Sequence, residues 1–116
     1  MKLIYRTAYM NKLASAMGTP DIKVITGIRR CGKSKLLEAF ADQIRASFPT
    51  ANIIRINFNL LEFEPLMQYR ALHDYVEKHF VEGCNNVVIV DEVQMCEGFE
   101  KAINSLHASE KYDIYI

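Results

Sequence analysis

No apolar run in the 116 residues approaches the roughly 20 needed to span a bilayer. The N-terminus, Met1-Lys2-Leu3-Ile4-Tyr5-Arg6, has no long apolar stretch of the signal-peptide kind. Cysteine is scarce: three, an odd number and widely spaced, which excludes a disulfide framework. A reducing cytoplasm is the expected compartment, with no membrane. Repeats and low-complexity segments are absent. Net charge is zero. With 50% hydrophobic and 24% charged residues, the composition is that of one globular domain, not of a disordered or coiled-coil chain.

The zero net charge hides an asymmetry. Residues 1–58 hold ten Lys/Arg and three Asp/Glu; residues 59–116 hold four and eleven. The halves are therefore +7 and −7. Chance placement on a solvated surface is one reading. The other is a site where the two segments meet around an anionic ligand carried with a divalent cation.

Three prolines, Pro20, Pro49 and Pro65, mark candidate boundaries. Residues 7–17 read as a lead-in helix closed by Gly18-Thr19-Pro20. Ile22–Thr26 is a β-branched strand. Helical spacing of Leu37, Phe40, Ala41 and Ile44 predicts a helix over 33–46. Ile53–Phe58 is a second strand. A helix over 66–81 carries the stripe Leu66, Tyr69, Leu72 or His73, Val76 and Phe80. Val87–Val90 is an unbroken apolar run, as in a strand covered on both faces. A helix over 97–109 lines up Phe99, Ile103 and Leu106, and Asp113–Ile116 begins a last strand. The alternation predicts an α/β fold with a mainly parallel sheet. The last strand has no helix behind it, so the chain reads as the N-terminal part of something longer. Its outer edge is expected to be exposed and prone to pairing.

Gly27-Ile28-Arg29-Arg30-Cys31-Gly32-Lys33-Ser34 fits G-x-x-x-x-G-K-[ST] without mismatch. The glycines allow a tight turn whose successive N–H groups converge on one anion. Lys33 reaches the β and γ phosphates, Ser34 offers its hydroxyl to Mg²⁺, and the following helix adds its N-terminal dipole. The string lies where it must, between a strand and a helix. A glycine turn with a surface lysine is the plain alternative.

In Val87-Val88-Ile89-Val90-Asp91-Glu92, Asp91 lies 58 residues after Lys33. Asp91 ends a buried strand, where ligands sit in open α/β sheets. There it serves as a Mg²⁺-holding carboxylate. Glu92 can take a proton from an attacking water. An acidic strand end is weak alone; its topological order after the phosphate loop makes it strong. Asp91-Glu92-Val93-Gln94 has no glycine at its fourth position, and Asn11-Lys12 precedes the phosphate loop. Both disfavour a GTPase, so ATP is the expected nucleotide.

These segments resemble the AAA-type ATP-binding proteins of bacteria and archaea. The likeness rests on an Arg-Arg pair inside the phosphate loop and an Asp-Glu-x-Gln after the third strand. It covers essentially the whole chain. It implies a three-layer P-loop NTPase, here truncated after the fourth core strand. Residues 1–20 would then be the lead-in helix and 21–116 the N-terminal part of the ATPase domain. Sensor, lid and C-terminal domain would lie beyond Ile116. Lys35 departs from the Thr or Ser common there and extends the phosphate-binding segment Gly27–Lys35.

The function implied is Mg-dependent ATP hydrolysis, with ATP and ADP as ligands. Lys33 and Glu92 are catalytic, and Ser34 and Asp91 hold the metal. The alternative is a slow-hydrolysing switch that docks a protein or DNA partner. An oligomer is open. Arg29 and Arg30 clamp phosphate, reach a partner subunit, or are solvated. Gln94 orients water, senses the γ-phosphate, or is a surface residue. Cys31 has a thiolate favoured by the helix N-terminus, or is a small residue at a variable position. His73, His79 and His107 lack metal-ligand spacing with Cys84 or Cys96.

Overall fold

The computed structural model describes residues 22, 23 and 30–116, with 30–34 described by backbone alone. The elements are α1 (Arg30–Ser47), β1 (Asn52–Asn57), a 3-10 segment (Leu61–Leu66), α2 (Tyr69–Lys78), β2 (Asn86–Asp91), a 3-10 turn (Val93–Met95), α3 (Phe99–Ala108) and β3 (Tyr112–Tyr115). The expected lead-in helix over 7–17 lies outside the described residues. So does the strand over 22–26 apart from Ile22 and Lys23.

The three strands are all parallel, in the order β1-β2-β3. β2 is central and buried at every residue, as its unbroken apolar run predicts. Lys23 bridges in parallel to Tyr115. Its N–H donates to the Ile114 carbonyl and its carbonyl accepts from the Ile116 N–H, both at 2.9 Å. The expectation of an exposed last-strand edge is therefore corrected at that point. β3 thus lies between β2 and Lys23, the earliest sheet residue among those described.

Alternating side chains divide the sheet into two faces. Val87, Ile89 and Tyr115 pack against Leu36, Leu37, Phe40, Ala41 and Ile44 of α1. Ile54, Ile56, Val88, Val90 and Ile114 pack against Leu72 and Val76 of α2 and Ala102, Ile103 and Leu106 of α3. Helices thus cover both faces. On the α1 side, Lys23 and Asp113 form an ion pair with 8% and 13% of their side chains exposed. The Tyr115 hydroxyl donates to Asp113 Oδ2 at 3.2 Å. Burial first, and then the Asp113 charge, push the Tyr115 hydroxyl's pKa well up, so it stays a donor.

Local chemistry moves three boundaries. α1 begins at Arg30, three residues before the expected start. Gly32 is tolerated in the first turn, where N–H groups have no intrahelical partner in any case. The helix expected over 66–81 spans only Tyr69–Lys78. Pro65 lies inside the 3-10 segment, and Gln68 caps α2 by accepting from the N–H groups of Arg70 and Ala71 at 3.0 and 3.3 Å. Where the stripe left Leu72 or His73 open, Leu72 is the buried one, with Val76. α3 starts at Phe99 because Gly98 precedes it in the left-handed region, at φ 71°.

Candidate functional site at the carboxyl edge of the sheet

Parallel strands end along one edge, and α1 can be oriented against it from connectivity. Its last turn leads through residues 48–51 into Asn52, the amino end of β1. Eighteen residues of helix extend about 27 Å, and six of strand about 20 Å. Packed along the sheet, α1 therefore has its N-terminus at the carboxyl edge. The segment Arg30–Ser34, which carries Lys33 and Ser34, forms its first turn.

Asp91 is the last residue of β2 and is fully buried. Val87 and Ile89 face α1, so strand alternation puts Asp91 on that face too. Its register partner on β1 is Asn57. The Asp91 carbonyl accepts from the Phe58 N–H at 3.2 Å, which ties the ends of the two strands together.

The chain turns sharply at Glu92. This residue adopts φ 58°, ψ 45°, a left-handed conformation that costs a non-glycine residue about 1–3 kcal/mol. The turn is secured by the Met95 N–H donating to the Glu92 carbonyl at 3.1 Å and by the buried Val93. Glu92 is only 7% exposed. Gln94 Nε2 donates to its Oε2 at 2.6 Å. Strain of this kind persists where surrounding structure fixes it, and it concentrates at functional sites.

A second clamp supports the turn from below. Gln68 and Glu97 form a parallel bridge. The Tyr69 N–H donates to the Glu97 carbonyl at 3.0 Å and the Glu97 N–H to the Met67 carbonyl at 3.1 Å. Cys96 plugs the gap, its thiol donating to the Leu66 carbonyl at 3.5 Å. Burial, then Glu100, push that thiol's pKa up, so it is a packing residue.

The expected site residues divide accordingly. Asp91 and Glu92 sit together at the carboxyl edge. Lys35 is exposed on α1. Gly27, Ile28 and Arg29 lie outside the described residues. Arg30, Cys31, Gly32, Lys33 and Ser34 are described only as helix backbone. Sequence reading left the Gln94–Glu92 bond unseen, although separation by two residues across a tight turn is a usable signal. It also missed Asn86, a buried asparagine disguised by the turn-like string Gly83-Cys84-Asn85-Asn86. Among the described residues no three of His, Cys, Asp and Glu form a metal-holding group. None of the helices among those residues is long and apolar enough to cross a membrane.

A parallel sheet with Lys23 bridged to its last strand, a helix N-terminus and an acidic pair at one edge are features of an α/β domain of nucleotide-binding class. A family model described as "AAA domain" matches residues 19–116, and the chain belongs to that P-loop family. Membership implies a nucleotide ligand. The chain is 30% identical over 116 residues to an uncharacterized protein of Haemophilus influenzae. The match covers 98% of this chain and 29% of that protein, so the chain spans under a third of its relative's length. No solved structure matches.

Proposed function

We propose that this chain binds ATP with Mg²⁺ through Gly27–Lys35 and supports its hydrolysis, with residues 21–116 supplying the phosphate-binding and water-activating groups. The observation that carries the reading is Asp91. It is a fully buried carboxylate ending the central strand, on the face covered by the helix that starts in the phosphate loop.

The donor set suits the cation. Mg²⁺ takes oxygen ligands and usually only one or two carboxylates, the rest coming from water and substrate phosphates. Ser34 and Asp91 would hold it. When bound, it neutralises charge on the β and γ phosphates. Backbone N–H groups of Gly27–Gly32 cradle the phosphates, and Lys33 stabilises the charge that develops as the γ-phosphoryl group leaves. Glu92 accepts a proton from the attacking water as oxygen bonds to the γ phosphorus and the bond to the bridging oxygen breaks. ADP and phosphate are the products. A slow switch that docks a protein or DNA has no need of a base at Glu92, which favours the ATPase.

Calorimetric titration with ATP and Mg²⁺ tests the binding half. Lys33→Ala should weaken affinity by about 10- to 100-fold, the range for losing a charged hydrogen-bonding partner. Unchanged affinity would overturn the phosphate-loop assignment. Phosphate release by the whole protein then separates enzyme from switch.

A further inference from the structure

We infer that Gln94 is a positioning residue for the hydrolytic step, acting through Glu92 rather than on the nucleotide. This rests on the reading of Glu92 as the base. The geometry points to it in three ways. Gln94 Nε2 donates to Glu92 Oε2 at 2.6 Å, a short bond of the charge-assisted kind. The two residues are separated only by Val93, whose buried side chain anchors the turn between them. The backbone at Glu92 is already fixed in the left-handed region, so the freedom left to its carboxylate lies in its own side-chain torsions. The Gln94 amide restricts that freedom.

An amide is well suited to this task. It holds a carboxylate oxygen by an N–H and does not itself titrate. It thus orients the base without competing for the proton. A carboxylate held in one direction reaches the attacking water without first being ordered, and misorientation of a catalytic group by about 1 Å can cost 10²-fold in rate. Gln94 itself is exposed at the outside of the turn. The carboxylate is buried, and its holder meets solvent.

The test uses the whole protein, with thermal unfolding as a check on folding. Gln94→Ala should lower kcat about 10-fold or more and leave KM for ATP within about twofold, the signature of an effect on the transition state alone. Gln94→Glu brings a second carboxylate against Glu92. An ionised carboxylate there has no N–H to hold Glu92 and repels it, so kcat should fall at least as far as in Gln94→Ala, again with KM for ATP within about twofold. The double variant Glu92→Gln, Gln94→Ala should be no slower than Glu92→Gln alone, because Gln94 has nothing left to orient. Kinetics of both Gln94 variants within twofold of the unaltered protein overturn the inference. So does a rise in KM matching the loss, or a further loss in the double variant; either means that Gln94 meets the nucleotide directly. If Glu92→Gln alone keeps full turnover, the base assignment fails first, and Gln94 with it.

Discussion

The two ends of β2 differ in how they treat buried polar groups. At the amino end, Asn86 is 3% exposed and saturated. Its Oδ1 accepts from the Val81 N–H at 2.9 Å and from Asn52 Nδ2 at 2.8 Å. Its Nδ2 donates to the carbonyls of Val81 and Cys84 at 2.9 and 3.0 Å. Asn52 Nδ2 also reaches the His79 carbonyl at 2.6 Å. One strand further, Tyr112 donates to Glu77 Oε2 at 2.5 Å, and Lys111 stands 3.4 Å from the same oxygen. These bonds hold strands and loops in place. At the carboxyl end, two adjacent carboxylates are buried and one stands on a strained backbone. The amino edge is fastened by these bonds, and the carboxyl edge is where the proposed chemistry would reside.

That contrast predicts opposite mutational signatures, and the largest effect belongs to the carboxyl edge. Glu92→Gln keeps shape and the capacity to hydrogen-bond but removes the proposed base. ATP turnover of the whole protein should fall about 10²- to 10⁴-fold, with nucleotide affinity retained and melting temperature nearly unchanged. Steady-state phosphate release beside calorimetric binding measures both. Turnover within about twofold of the unaltered protein would falsify the assignment.

At the amino edge Asn86→Ala should do the reverse. It strands the Val81 N–H and two carbonyls, each worth about 1–3 kcal/mol when left unsatisfied away from water. A stability loss of about 2–4 kcal/mol in urea titration is expected, because the loop gains some access to solvent. The ATP affinity of the fraction still folded should be unaltered. Asn86→Asp should recover little, since it keeps the acceptor but loses both donors and adds a buried charge. A loss below about 0.5 kcal/mol would mean that water replaces the asparagine and that this edge is not fastened by it.

How much of this was readable in advance follows the same line. Buried apolar runs announce themselves: Val87–Val90 and the α1 stripe came out as the central strand and its covering helix. Asp91-Glu92 was legible because a motif fixes its place after a strand. The bounds of α2 were not, because Gln68 as a cap and Pro65 in a 3-10 segment compete locally with the apolar stripe. Asn86 was invisible for a physical reason. Its partners come from residues 81, 84 and 52, and only the last is far along the chain, brought close by parallel pairing with β1. Lys23 and Asp113 are 90 residues apart, and strand order alone joins them.

Two glycines refine the comparison at a smaller scale. Gly83, before the amino end of β2, and Gly98, beyond its carboxyl end, both have positive φ, at 81° and 71°. A Cβ on Gly83 meets nothing within 4 Å, whereas one on Gly98 falls 2.8 Å from Tyr69 Cδ1. Gly83→Ala should cost about 1 kcal/mol from backbone strain alone. Gly98→Ala should cost about 2 kcal/mol or more, since the Tyr69 ring must also move. Equal losses by chemical denaturation would mean that the ring yields freely and that the Gln68–Glu97 clamp is slack.

The smallest expected effect returns to the amino edge and depends on pH. The hydrogen bond from the Tyr112 hydroxyl, with help from the Lys111 charge, holds the Glu77 carboxyl's pKa below its usual 4.5. A carboxyl whose folded pKa lies below its unfolded value stabilises the fold above the unfolded value. That contribution fades as pH falls through the folded value. Tyr112→Phe removes the largest cause of the depression. Glu77 has 36% of its side chain exposed, so solvent screens the pair and the loss at neutral pH should stay below about 1 kcal/mol. In the variant Glu77 protonates nearer its usual pKa. The stability gap between the two proteins should therefore be widest above pH 4.5 and should narrow below it, once Glu77 is protonated in both. Urea titrations of both proteins at neutral pH and well below pH 4.5 measure the gap. A gap that stays constant on acidification would mean that the hydroxyl contributes packing alone and that the Glu77 charge is no part of the fastening.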